Sequence, residues 1–248
     1  MTVALPTARR GGPFPSAMPE KISIIIPVLN EAHVITQTLS ALQPFRMKRH
    51  EVIVVDGGSE DTSVARSRPL ADHVVCSPLG RSRQMNAGAR VASGEILLFL
   101  HADTFLPDGA DGFIISGMRQ RGRTWGRFDV RLSGEHPLLR LIEYLMNWRS
   151  RLSGIATGDQ GIFVRREVFQ LVGGFPEIDL MEDIALTKAL RKEGRPLCLR
   201  PKVVTSSRRW EDNGMIRTVL LMWYLRLVYF LGADPNRLSR LYRKSRPS

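Results

Sequence analysis

The 248-residue sequence predicts an α/β fold in a single domain, with a mostly parallel, doubly wound sheet, helices on both faces and a C-terminal amphipathic helix. One observation behind this is a series of short, wholly apolar runs separated by segments of helical period, since such runs suit strands buried on both faces of a parallel sheet. The other is where the runs stop. The stretch Ile96 to Asp103 reads Ile-Leu-Leu-Phe-Leu-His-Ala-Asp and ends in the polar triplet His101, Ala102, Asp103. In open α/β sheets ligands bind outside the carboxyl ends of the strands, so this triplet falls where chemistry is expected.

The first strand is Ile22 to Val28, closed by Pro27; Leu29, Asn30 and Glu31 follow, and then Val34, Ile35, Leu39 and Leu42 recur at helical spacing. Asn30 suits a helix cap and Glu31 a first turn. A second strand, Glu51 to Asp56, runs into Asp56, Gly57, Gly58, Ser59, Glu60, Asp61 and Thr62. An acid at a strand tip followed by two glycines suits either a ribose or base contact or an ordinary turn. The third strand, Asp72 to Cys76, precedes a helix starting near Arg81, where two arginines and free backbone N–H groups suit a phosphate or a solvated face. The strand ending at Asp103 completes the set. No G-x-G-x-x-G follows the first strand and no P-loop pattern occurs, which disfavours dinucleotide enzymes and P-loop NTPases.

Beyond it, a helix is expected over Asp108 to Gln120 and a strand over Trp125 to Leu132. Pro137 to Leu152 reads as an apolar helix whose stripe is assigned to the core. Glycines flank Asp159 and Gln160 at Gly158 and Gly161, which suggests backbone close to a ligand. Glu182 and Asp183 open a helix carrying Ile184, Leu186 and Leu190, and a short strand lies near Arg200 to Val204.

Composition bounds the class: 43% hydrophobic and 24% charged residues describe a globular chain, and no run approaches the roughly 20 apolar residues of a membrane span. Cys76 and Cys198 are too few for a disulfide framework, fit a reducing cytoplasm and are expected to be inert packing residues. Residues 1 to 20, rich in glycine and proline and without the apolar core of a signal peptide, are expected to be a disordered leader. The net charge of +12 is uneven, with 14 basic against 4 acidic residues over 191 to 248. Such a basic region points to nucleic acid, anionic lipid or a substrate diphosphate.

Ile-Pro-Val-Leu-Asn-Glu (26 to 31), Val-Val-Asp-Gly-Gly-Ser-Glu-Asp-Thr (54 to 62), Gly-Arg-Ser-Arg-Gln-Met-Asn-Ala-Gly (80 to 88) and Phe-Leu-His-Ala-Asp-Thr (99 to 104) together resemble the successive motifs of family 2 glycosyltransferases, which have the GT-A fold. The resemblance implies a nucleotide site made of Pro27, Asn30, Glu31, Asp56, Gly57, Arg81, Asn86 and Asp103, with Asp61 a weaker member. It implies a divalent metal, Mn²⁺ or Mg²⁺, at the family's Asp-x-Asp position. Here that position reads His101-Ala102-Asp103, so the metal rests on Asp103, and His101 either ligates it or packs beside it. It implies an acceptor or diphosphate side of Gly158, Asp159, Gln160, Glu182, Arg209 and Trp210, Asp183 as general base, and, as a second reading of the apolar helix Pro137 to Leu152, contact with a lipidic acceptor. The implied reaction moves a sugar from a nucleotide-diphosphate sugar, UDP first, to a hydroxyl or carboxyl of an acceptor, by an inverting single displacement. Ser206 stands where processive members carry a Gln, which argues against polymer synthesis. Two other classes remain open, a nucleotidyltransferase and a non-catalytic nucleotide-sugar binder.

The chain divides into a leader (1 to 20), the glycosyltransferase-like domain (21 to 212), and an apolar helix with a basic tail (213 to 248). The apolar stretch Met215 to Leu231, followed by Arg237, Arg240, Arg243, Lys244 and Arg246, is expected to lie in the headgroups of an anionic membrane, at the inner face of the cell membrane. The basic residues lack interleaved aromatics, so nucleic acid is not an expected partner.

Overall fold

A computed structural model describes residues 20–212 and 214–244. The expected leader and the end of the basic tail, 245–248, therefore lie outside the described residues, apart from Glu20, whose carboxylate accepts from Arg165 at 2.8 Å. The first half runs β1 (Ile22–Val28), α1 (Ile35–Ala41), α2 (Gln43–Met47), β2 (Glu51–Asp56), α3 (Ser63–Ser67), β3 (His73–Cys76), α4 (Arg81–Val91) and β4 (Ile96–Phe99). The second half runs β5 (Thr104–Phe105), α5 (Ala110–Arg121), β6 (Trp125–Leu132), α6 (Pro137–Ser153), β7 (Ile162–Arg165), α7 (Arg166–Leu171), α8 (Glu182–Glu193), β8 (Leu197–Thr205), α9 (Arg208–Asp212), α10 (Met215–Phe230) and α11 (Pro235–Lys244).

All eight strands form one sheet in the order β3-β2-β1-β4-β7-β6-β8-β5. The first four are parallel, as expected. β7 then joins antiparallel to both β4 and β6, and β6 pairs in parallel with β8. Alternation explains the apolar runs: Ile24, Ile26, Val52, Val54, Ile96 and Leu98 enter one buried cluster, while Ile25, Ile53, Val55, Leu97 and Phe99 enter another on the opposite face.

The register brings the strand tips level, Val28 beside Asp56 and Asp56 beside Cys76. β4 stops at Phe99 although the apolar run continues. The Leu100 amide donates to the Ile25 carbonyl at 3.0 Å, and the Thr104 amide then closes a turn on the His101 carbonyl at 3.1 Å. The Thr38 hydroxyl pins that turn through the Ala102 carbonyl at 2.5 Å. His101 and Asp103 therefore sit on a turn at the centre of the sheet edge. Cys76, expected as a packing residue, is exposed at the tip of β3, because an edge strand leaves one side uncovered.

Candidate active site

The side expected to hold the donor is built from the tips of β1, β2 and β4. The Asp56 carboxylate, buried at the strand tip, accepts from the amides of Gly58 at 2.9 Å and Ser59 at 3.1 Å, so it shapes its own turn. Asn30, in a left-handed conformation at φ 55°, ties that turn to the β1 tip. Its amide donates to the Ser59 hydroxyl at 2.9 Å, and its side-chain oxygen accepts from the Glu60 amide at 2.9 Å. Asp61 holds the other flank by accepting from Ala32 at 3.0 Å and Ser63 at 2.8 Å. Gln84, which the motif reading passed over, ties the tips together: its buried carboxamide donates to the carbonyls of Val28 and Val55, both at 2.8 Å. A Cβ at Gly57 would stand 2.9 Å from the Gln84 amide nitrogen. The glycine is thus needed for this close approach inside the protein, whatever ligand comes from outside.

Asn86 is also committed internally. Its side chain donates to the Phe175 carbonyl at 2.8 Å and accepts from the Phe175 amide at 3.0 Å, so it anchors the loop before α8. Of the two arginines opening α4, Arg83 turns to Glu177 at 3.5 Å. Arg81 is exposed and acts on two acids, Glu31 and Glu182. Glu31 is pushed above the usual carboxylate range by burial and by the Asp103 carboxylate beside it, against the pull of His33, Arg208 and Arg81. Glu31, Asp103, Arg81 and Arg208 thus share one space outside the sheet edge.

The side expected to face the acceptor is built from the short 3₁₀ turn Gly158–Gln160 and the start of α8. Asp183 receives the Gly158 amide on one carboxylate oxygen at 2.8 Å and the Ile184 amide on the other at 2.7 Å. A carboxylate has about four acceptor positions, so two bonds fix its direction and leave lone pairs for a substrate proton. His101 reaches across to the same turn, its Nδ1 lying 3.3 Å from the Asp159 carboxylate. Its Nε2 lies against Gly158, where a Cβ would come within 2.5 Å. Both ring nitrogens are therefore turned to this loop. Gln160 points inward and is fully buried, accepting from the Thr157 amide at 3.2 Å and donating to Asn147 of α6 at 3.4 Å. Glu182 is buried beside Asp183 and pushed up, first by burial and then by the neighbouring carboxylate.

From α9, Arg208 donates to the Ser206 hydroxyl at 3.1 Å, while Trp210 packs half-buried against the main core. The Arg209 side chain lies outside the described atoms. α10 covers the far end: Leu225 is buried against Ile155, Met181 and Ile184, which flank the Gly158 turn and Asp183. Arg226, one residue on, is acted on by Asp183 and Asp159, and so is Arg149 of α6.

The stripe on α6 is only partly core. Leu139, Ile142 and Met146 are buried, but Leu141, Tyr144, Leu145, Trp148 and Leu152 are exposed, because a helix apolar on more than one face cannot bury all of it against one sheet. α10 exposes Ile216, Leu220, Trp223, Leu227 and Phe230, with Trp223 at 65%. Among the described residues no helix is long and apolar enough to cross a membrane.

An α/β sheet with acidic residues gathered at its carboxyl edge, facing a second acidic pair across the crevice, defines the class of nucleotide-sugar-dependent folds called GT-A. The description Glycosyl transferase family 2 matches residues 23–171, more than half of the chain, and the chain belongs to that family. It is 26% identical over 217 residues to a probable glycosyltransferase, YdaM, of Bacillus subtilis, covering 78% of this chain and 51% of the relative. It is 27% identical over 173 residues to an undecaprenyl-phosphate 4-deoxy-4-formamido-L-arabinose transferase of Salmonella choleraesuis, covering 61% of this chain and 50% of the relative. The chain thus spans about half the length of these curated relatives. The S. aureus TarS fragment 1–349 superposes with a TM-score of 0.63 at 19% identity, covering 81% of this chain and 65% of that one. The Pyrobaculum calidifontis mannosyltransferase PcManGT, solved with GDP-Man and Mn²⁺, gives 0.57 at 21% identity, covering 75% and 57%. These similarities show the GT-A fold.

Proposed function

We propose that the chain transfers a glycosyl group from a nucleotide-diphosphate sugar to an acceptor, with Asp183 as general base. The observation that carries the reading is the placement of Arg81 within the field of both Glu31 on the donor side and Glu182 on the acceptor side. A diphosphate between them would meet a cation just where a sugar leaves it for an acceptor facing Asp183. An acceptor hydroxyl titrates far above neutrality, so a carboxylate within about 3 Å has to take its proton as the anomeric carbon is attacked. Single displacement needs no covalent intermediate and inverts the anomeric centre. UDP is the first nucleotide to test, and GDP and dTDP the next.

Among the described residues no three His, Cys, Asp or Glu side chains gather as a metal cage. Asp103 with Glu31 facing it fits the other arrangement, a divalent ion shared between one or two carboxylates and the diphosphate oxygens. Mn²⁺ or Mg²⁺ bound there would neutralise the departing diphosphate. His101, with both nitrogens turned to the Gly158 turn, holds that turn toward the metal position and is left out of the ligand set.

The exposed faces of α6 and α10, with Arg237 and Arg240 exposed on the following helix, fit the surface of an anionic bilayer. Apolar side chains meet the acyl boundary there while the basic residues meet the headgroups. The acceptor reading extends to lipids, in keeping with the undecaprenyl-phosphate transferase among the relatives. The test is hydrolysis of a panel of nucleotide sugars with Mn²⁺ or Mg²⁺. Wild type should turn over at least one donor, and Asp103→Ala should lose about tenfold or more of the metal-dependent rate. No turnover and no metal-dependent nucleotide binding by the wild type would sink the enzyme reading.

A further inference from the structure

Among the described residues four arginines carry a buried guanidinium nitrogen without a partner, Arg127, Arg140, Arg149 and Arg226, and Arg127 and Arg140 bond through their other nitrogens whereas Arg149 and Arg226 do not. The latter two come from different helices, α6 and α10, yet each is half-buried beside the Gly158 turn and Asp183. The Nε and Nη2 of Arg149 and the Nε of Arg226 are out of solvent and have no hydrogen-bond partner. A buried donor without an acceptor forfeits its hydration with nothing in return, the more so in a charged group, so such atoms are uncommon in folded proteins. The two guanidiniums also act against each other: burial and then Arg226 lower Arg149 to about 10. Asp183 and Asp159 offset part of this repulsion, but Asp183 already receives the Gly158 and Ile184 amides. Arg127, the third guanidinium nearby, commits both its Nη atoms to Asp129 and to the carbonyls of Phe128 and Asn147, leaving only its Nε without a partner.

Two unpartnered guanidiniums near the same two carboxylates, Asp183 and Asp159, form an arrangement that a tetrahedral oxyanion can satisfy, because a planar fork can engage two of its oxygens. A phosphate monoester carries close to two negative charges at neutral pH and matches the pair in charge as well as in geometry. We infer that Arg149 and Arg226 hold a phosphate group of the acceptor beside Asp183, so that the acceptor is a phosphorylated compound. This rests on the transferase reading above and names the acceptor class within it. The phosphate belongs either to a soluble phosphomonoester or to a lipid whose apolar part leaves along the exposed faces of α6 and α10.

The experiment uses protein saturated with its nucleotide, so that the diphosphate position is filled, and titrates inorganic phosphate at fixed ionic strength. In the wild type phosphate should raise the melting temperature, since a ligand binding only the folded state stabilises it by mass action. The double variant Arg149→Gln/Arg226→Gln should bind phosphate about tenfold or more weaker while keeping nucleotide affinity within about threefold. Arg121→Gln, exposed at the end of α5, should leave the phosphate affinity unchanged. No phosphate-dependent shift in the wild type overturns the inference, as does a smaller loss in the double variant or an equal loss with Arg121→Gln. A protein that binds no nucleotide at all refutes the transferase reading separately. If the double variant does not fold, Arg226→Met serves in its place. Removing one of two unpartnered like charges should leave its melting temperature equal or higher while phosphate affinity falls, whereas a purely structural arginine would lose stability. Glycerol 3-phosphate and vesicles of phosphatidylcholine with phosphatidic acid then separate the sources. Binding of the soluble compound that vesicles do not compete identifies the first, and vesicle binding abolished by the double variant identifies the second.

Discussion

The two sides of the crevice are finished to different degrees. On the donor side polar groups already have partners inside the protein: Asp56 and Asp61 accept backbone amides, Asn30 links two loops, and Gln84 joins the β1 and β2 tips. Behind them Glu51 takes the Ser23 hydroxyl, the amide of Ser93 at 2.5 Å and that of Gly94 at 3.1 Å. On the acceptor side Glu182 is buried next to another carboxylate, three arginine nitrogens lack acceptors, and two helices leave apolar faces uncovered. The difference teaches which surface waits for something. The proposed donor side has its polar groups satisfied from within, whereas the proposed acceptor side carries unpartnered guanidinium nitrogens and exposed apolar area, which the proposed ligand and bilayer would cover.

The largest expected effect tests the finished side. Burial would raise Glu51, but its hydrogen bonds from Ser23 and Ser93 and the charge of Lys21 hold it down to about 2. A depressed carboxylate contributes stability above its unfolded pKa and loses it as pH falls from about 4.5 toward 2. Glu51→Ala strands buried donors and should cost about 3 kcal/mol at pH 7 by denaturant unfolding, with the penalty shrinking in acid. An equal penalty at pH 3 and pH 7 would break the assignment.

The next effect tests the unfinished side, and its sign is opposite. Glu182 is raised to about 7, so the folded state holds its proton more tightly than the unfolded state does. Its contribution is present below the unfolded value and is lost as pH rises toward 7. Glu182→Gln should therefore match wild type near pH 5 and be more stable by about 2 kcal/mol at pH 8. A constant difference across that range would refute the buried-acid description. The smallest effect on folding concerns the uncovered face: Trp223→Ser should change stability by less than about 0.5 kcal/mol, since the side chain is largely exposed. Sedimentation with anionic vesicles at low salt should nevertheless fall clearly. Wild type that does not sediment would end the membrane proposal.

How much of this was legible in the sequence follows from the range of the interactions. β1, β2 and β4 announce themselves because strands covered on both faces must be apolar throughout. The motif acids at their tips are legible for the same reason, since a strand end marks the sheet edge. What pairs with what across long separations is not legible. Nothing in residues 162–165 says that they join β4 antiparallel, and nothing near His101 names Asp159 as its neighbour. The motifs give Gly57 and Asn86 to the nucleotide, while their contacts with Gln84 and Phe175 depend on how α4 and the loop before α8 settle, which no motif states. Arg149 and Arg226 are 77 positions apart in the sequence and meet only once α10 folds over α8.

The central claim is that Asp183 takes the acceptor's proton while the opposite side holds the nucleotide. The most direct measurement compares Asp183→Asn with wild type for sugar transfer and for nucleotide affinity in the same preparation. The account predicts transfer lower by about 10²–10⁴-fold, the range of general-base catalysis, with nucleotide affinity changed less than about threefold. Transfer retained near the wild-type rate, or transfer and nucleotide affinity falling together, would contradict it.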